Sequence, residues 1–165
     1  MLGRGCITSH VLSRPVHVKL TALQQQHAYF HHLAKLNPTM LRVATSGLEK
    51  RGPALFIETD IHAPEPVDGH TQGEIAHFHL LDADDGSGCV PDGSGHVTLS
   101  LEDAKEVIAK GWGQRHVMSG RLGARVVGKG FVLVYAPEDE EELEVMKRIF
   151  KAGANYMVNG REVRV

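Results

Sequence analysis

Two histidines stand one residue apart in the run Glu74-Ile75-Ala76-His77-Phe78-His79, amid mostly apolar neighbours. The run is short, bounded by Gly73 and an acidic Gly-rich stretch, and reads as an extended strand. Successive side chains on a strand point to opposite faces, so Ile75, His77 and His79 share one side and Glu74, Ala76 and Phe78 the other. The two imidazoles then lie about 7 Å apart on one face.

The rest of the chain supplies the other elements. "TALQQQHAYFHHLAKLNP" predicts a helix with a Thr21 and Gln24 capping box, a stripe of Leu20, Leu23, His27, Phe30 and Leu33 or Ala34, and an end at Asn37-Pro38. "MLRVATSG" and "PALFIETD" predict two strands around the turn "LEKRG", and "IHAPEPVDGHTQG" is a loop by its Pro and Gly content. "HVTLSL" predicts a strand. "SLEDAKEVIAKGW" predicts a helix with Ser100 as N-cap, Ala104, Val107 and Ile108 facing inward, and Gly111 as its left-handed stop. "GFVLVYAP" reads as a buried strand. The final helix opens on Asp139 with Glu142 as a second capping box and buries Leu143, Met146, Ile149 or Phe150, Gly153 and Met157. The fold class expected is α+β: one domain over residues 1–165, with helices on one face of a mainly antiparallel sheet and residues 1–18 as a loosely packed N-terminal segment.

Composition narrows the function. A formal charge of -2 and a pI near 6.6 provide no cationic surplus for phosphate neutralisation, so nucleic acid is not an expected partner. No apolar run approaches the roughly 20 residues of a membrane span, and "MLGRGCITSH" does not read as a secretory signal. Cys6 and Cys89 lie far apart without metal-binding or redox spacing, which fits free thiols in a cytoplasmic setting. The stretch Asp82-Ala83-Asp84-Asp85-Gly86 misses the alternating ligand spacing of a calcium loop. Histidine is the over-supplied residue. There are 11, more than the Phe, Tyr and Trp together, and imidazole exchanges protons near neutrality.

If "HVTLSL" pairs beside the histidine strand, His96 joins His77 and His79, with Thr98 next along the same face. Three imidazoles from adjacent strands suit a Zn, Fe or Cu site and equally a proton-transfer site without metal. Glu74 is expected on the opposite face, orienting a neighbour or closing a salt bridge. His27 and His31, one helical turn apart, lack a third ligand nearby in sequence and read as a half-exposed helix face. "GWGQRH" reads as a turn offering an aromatic plate, Trp112, an amide, Gln114, a fixed cation, Arg115, and a further imidazole, His116. Small planar ligands are commonly held by such a mixture.

The segments "GCITSH", "GEIAHFH", "HVTLSLEDAKEVIAKGWGQRH", "FVLVYAPEDEEELEVMKRI" and "NYMV", spread from Cys6 to Val158, resemble the fungal luciferase family. "EIAHxH", "GWGQRH" and "YAPxxEEE" carry the resemblance most specifically, while "VMSG" at Val117–Gly120 and Glu138 depart from the "PLAG" and Arg of luminous members. The resemblance implies an oxygenase that oxidises a hydroxylated α-pyrone, 3-hydroxyhispidin, with molecular oxygen as co-substrate and no organic cofactor. A cyclic peroxide would form, lose carbon dioxide and leave an excited, light-emitting product. His77, His79 or His96 would then act as general base, Arg115 and His116 would stabilise the anion, and Trp112 would stack on the substrate, with Gln114, Glu74 and Thr98 also lining its site. Longer relatives carry an N-terminal hydrophobic segment associated with membranes. The alternatives are a metal-dependent enzyme with His77, His79 and His96 as ligands, and a non-catalytic domain that binds a small molecule. The oligomeric state expected is a monomer or weak homo-oligomer.

Overall fold

A computed structural model describes residues 20–65, 67, 70–79, 93–120 and 127–165. The elements run α1 (Leu20–Leu36), β1 (Leu41–Thr45), β2 (Pro53–Ile57), a short 3-10 turn (His70–Gly73), β3 (Glu74–Phe78), β4 (Gly95–Thr98), α2 (Leu101–Ala109), β5 (Gly113–Arg115), β6 (Phe131–Val134) and α3 (Glu140–Met157). All six strands form one sheet in the order β1-β2-β3-β4-β6-β5, with every neighbouring pair antiparallel. This is the α+β architecture expected. The expectations for residues 1–18, Cys6, Cys89 and the Asp82–Gly86 stretch lie outside the described residues.

The three helices share one face of the sheet. α1 packs against β1 and β2, α3 against β3 and β4, and α2 against β5. The centre of that layer is aromatic: the Phe78 ring stacks on Phe30 with centroids 4.5 Å apart and meets Phe150 edge-on at 4.7 Å. Leu33, Leu55, Val97, Val132 and Met157 complete a core from which water is excluded. α3 approaches β4 closely because Gly153 has no side chain; a Cβ there would stand 2.5 Å from Val97 Cγ2 and 2.9 Å from the Thr98 carbonyl oxygen.

Helix ends follow the local chemistry. Ser100 accepts the Asp103 N–H at 3.0 Å to open α2, and Gly111, at φ +78, stops it. Asp139 accepts the Glu142 N–H at 2.8 Å to open α3, while the Glu142 carboxylate reaches back to the Glu138 N–H at 2.9 Å. Asn37 ends α1 by bonding the Leu33 carbonyl, and also pairs with the backbone of Arg164, so the tail is tied to the helix.

Three details differ from the sequence pattern. α1 already includes Leu20, so Thr21 falls inside the helix and not ahead of it, and the buried stripe runs through Gln26 as well as Phe30 and Leu33. Gln26 is tolerated inside because its amide donates to the Gly93 carbonyl and contacts the Met146 sulfur. Ile108, expected to face inward, is 40% exposed because α2 is short and covers only the sheet edge. "GWGQRH" is not a free turn: Gly113–Arg115 pairs with β6 as β5.

Replacing Gly153 with Val should lower unfolding stability by about 2 kcal/mol, since overpacking against a strand backbone outweighs the gain in helix propensity. Urea denaturation of the Gly153→Val variant measures it.

Candidate functional site

The face of the sheet turned away from the helices carries the imidazoles. His77 on β3 pairs directly with His96 on β4, and His96 with Leu133 on β6, so the rings line up across neighbouring strands. His79 follows β3 and its N–H still bonds the Ser94 carbonyl, which keeps it in register. Ring centroids lie 5.0 Å apart for His77 and His96, 5.8 Å for His77 and His79, and 4.7 Å for His79 and His96. His116, just beyond β5, joins them at 4.7 Å from His96, held by its N–H to the Phe131 carbonyl. Phe131 closes the group, 5.2 Å from His96 and 5.1 Å from His116.

Glu74 corrects the simple alternation. Between β2 and β3 the register jumps: Leu55 faces Ala76, but the next residue, Phe56, faces Glu74, leaving Ile75 as an extra residue in β3. This β-bulge reverses the facing of everything before it. Glu74 therefore turns to the imidazole side, and Ile75 enters the core. The turn leading in is sharp, with Thr71, Gln72 and Gly73 all at positive φ and the Thr71 hydroxyl bonded to the Glu74 carbonyl.

The Glu74 carboxylate, 1% exposed, is surrounded by donors. Oε1 accepts from the Ser46 hydroxyl at 2.8 Å and from His77 Nδ1 at 2.7 Å, while Oε2 accepts the N–H groups of Gly47 at 2.7 Å and Leu48 at 3.3 Å. A carboxylate that accepts from Nδ1 fixes the proton there, so Nε2 of His77 points into the cluster. That nitrogen lies 3.0 Å from His96 Nδ1 and 3.5 Å from Glu49 Oε1. Glu49 comes from the loop joining β1 and β2, where its N–H bonds the Ser46 hydroxyl, and it also stands 3.9 Å from His79 Nε2. The sequence carried no signal for Glu49, which read as part of a turn.

The rings do not share one electrostatic environment. Burial by itself would make His77 harder to protonate, but hydrogen bonds and negative charge from Glu49 and Glu74 outweigh it and raise its pKa. Burial pushes His96 well below the usual histidine range, reinforced by the charges of His77, His79 and His116. His116 is lowered as well, first by burial and then by His77 and His79. Its hydrogen bond with His77 holds the Glu49 carboxyl below its ordinary pKa against the opposing effect of burial. Neighbouring rings are thus pushed in opposite directions, His77 toward keeping a proton and His96 toward the neutral form.

Other expected residues are distributed differently. Thr98 shares the His96 face, is buried, and its hydroxyl has no hydrogen-bond partner among the described residues. Gln114 is on the same face, opposite Leu133. Arg115 falls on the other face by alternation, is exposed, and donates to the Ser119 carbonyl at 2.8 Å. Trp112 lies on the helix side, in the groove between α2 and α3 beside Val107, Val145 and Ile149. Trp112, expected to stack on the substrate, and Arg115, expected to stabilise its anion, are thus not brought to the imidazole face. Along α1, His27 packs toward the Phe78 ring while His31 is exposed, so the two do not converge.

A family model described as a luciferase domain matches residues 72–153, the span that contains His77, His79, His96 and His116. The luciferase of Neonothopanus nambi is 31% identical over 94% of this chain and 59% of its own length. The chain belongs to the luciferase-domain family. Luciferases of Armillaria ostoyae, 35% identical over 73% of this chain and 44% of its own, and of Armillaria mellea, 29% identical over 94% and 59%, are further relatives. The chain spans 44% to 59% of the length of these relatives. No solved structure matches it. Among the described residues of this luciferase domain, no helix is long and apolar enough to cross a membrane.

Substituting Glu74 with Gln should cost about 1 to 3 kcal/mol, because an amide NH2 would face the N–H groups of Gly47 and Leu48 or the donors on the other oxygen. Chemical denaturation of Glu74→Gln against the parent chain gives the value.

Proposed function

We propose that this luciferase domain is an oxygenase that oxidises a hydroxylated α-pyrone of the 3-hydroxyhispidin type with molecular oxygen. The observation that carries the reading is the convergence of His77, His79, His96 and His116 within ring-contact distance, inside the segment matched by the family. The names of the relatives support a luciferase-like, oxygen-using activity.

The chemistry starts with loss of the enol proton, which turns the pyrone into an electron-rich anion able to react with oxygen. His77 and His96 lie deep, whereas His79, 22% exposed, and half-buried His116 stand where a ligand can reach them. His79 is held by Ser94 through Nδ1, and in the tautomer whose Nδ1–H donates to that hydroxyl Nε2 is the atom that accepts the proton. His116 accepts the Met118 N–H on Nδ1, so its neutral ring carries hydrogen on Nε2 and donates to the anion. Both oxygen atoms then add across the ring, the two electrons come from the pyrone, and the cyclic peroxide breaks with release of carbon dioxide. Arg115 and Trp112 take no direct part in this version, since they lie on the opposite side of the sheet.

Purified protein mixed with 3-hydroxyhispidin in air should consume oxygen, and His79→Ala should slow the uptake by about 100-fold or more while leaving the melting transition nearly unchanged. An oxygen electrode reads the rate. No uptake at high protein concentration rejects the reading, and a His79→Ala variant as fast as the parent rejects the role given to that ring.

A further inference from the structure

We propose that Glu49, His77, His79 and His96 form a binding site for one divalent first-row transition-metal ion, with Glu74 and Ser94 as the residues that aim two of its ligands. One donor atom from each of the four lies within 4.8 Å of all the others. Donors placed about 2.1 Å from a common ion stand about 3.0 to 3.4 Å apart at neighbouring positions and about 4.2 Å apart at opposite ones. The separations of 3.0 Å for His77 Nε2 and His96 Nδ1, 3.5 Å for His77 Nε2 and Glu49 Oε1, and 3.9 Å for His79 Nε2 and Glu49 Oε1 fall in that range.

The surroundings have the arrangement that metal-binding imidazoles need. Such a ring holds its remote N–H on a carboxylate, a carbonyl or a similar acceptor, which sets the tautomer and turns the other lone pair toward the ion. His77 does this through Glu74, and His79 through the Ser94 hydroxyl. Glu74 is itself locked by Ser46, Gly47 and Leu48, so the aim of His77 is fixed before any ion arrives. The donors come from the β1–β2 loop, β3, the residue just after β3, and β4, and the two carboxylates bring negative charge that a divalent cation balances. His116 is excluded as a ligand on Nδ1, which accepts from Met118, and remains beside the site.

Imidazole-rich sites with one carboxylate suit Fe, Mn, Co or Zn, and four protein donors leave room for one or two ligands in a five- or six-coordinate ion. Two adjacent oxygens, such as an enol and its neighbouring carbonyl, match that opening. This last point rests on the oxygenase reading, with the ion in place of His79 as the group that favours the deprotonated pyrone; metal binding itself does not depend on it.

The test uses the whole chain, stripped with chelator and titrated with Co(II) while visible d–d absorption and protein-bound cobalt are measured, without substrate. One equivalent should bind with intense low-symmetry bands. Glu49→Gln, on a partly exposed loop, should weaken binding, and Glu74→Gln should weaken it by about 10- to 100-fold although Glu74 touches no metal. His31→Ala, on the exposed face of α1, should change nothing. Less than about a tenth of an equivalent bound by folded parent protein overturns the proposal. So does unaltered affinity in Glu49→Gln together with a His96→Gln variant shown to be folded by circular dichroism. Cobalt binding without oxygen uptake would leave the site standing and reject the oxygenase reading alone.

Discussion

One buried carboxylate holds the site together. Glu74 accepts hydrogen bonds from a serine, two backbone amides and an imidazole, so its charge is dispersed over donors from two separate segments. Removing water from a carboxylate is tolerable only with such complete pairing. The same bonds fold the β1–β2 loop down onto the sheet, and that loop delivers Glu49. The position of one side chain thus decides the tautomer of His77, the path of a loop and the approach of a second acid.

The architecture keeps chemistry and cohesion on opposite faces of one sheet. Phe30, Phe78 and Phe150 bind the helices to β3 and β4 from one side, and His77 and His96 are presented from the other by the same two strands. Strand pairing on both flanks leaves those imidazoles little freedom to move. Adjacent rings are nonetheless driven in opposite directions, His77 toward holding its proton and His96 toward neutrality, because only His77 sits between two carboxylates.

Much of this was readable from residues alone. The period-two run from Ala76 to His79, the apolar run at Phe131–Val134 and the capping residues Ser100 and Asp139 report local rules that the fold obeys, which is why sheet, helices and the pairing of His96 with His77 were legible. Glu74 was misplaced because alternation assumes an unbroken ladder, and the extra Ile75 is a tertiary feature of pairing with β2. Glu49 was invisible because a loop residue gets its partners from folding at a distance. Nearness in sequence to His116 does not bring Arg115 or Trp112 to the cluster: Arg115 is the adjacent residue and so faces the other way on β5, and Trp112 precedes the strand and packs with Val107, Val145 and Ile149 on the helix side.

Apart from Gln26, which donates to the carbonyl next to Ser94, the contacts of the helical layer among the described residues lie across the sheet from the ring cluster. Evolutionary drift in α1 or α3 can therefore adjust heat tolerance, or fit the domain against new neighbours in a longer polypeptide, with little disturbance of the ring cluster. Divergence in what the cluster acts upon has a different address: the loops that rim the opposite surface, where chain length and composition can vary without unpicking the aromatic core.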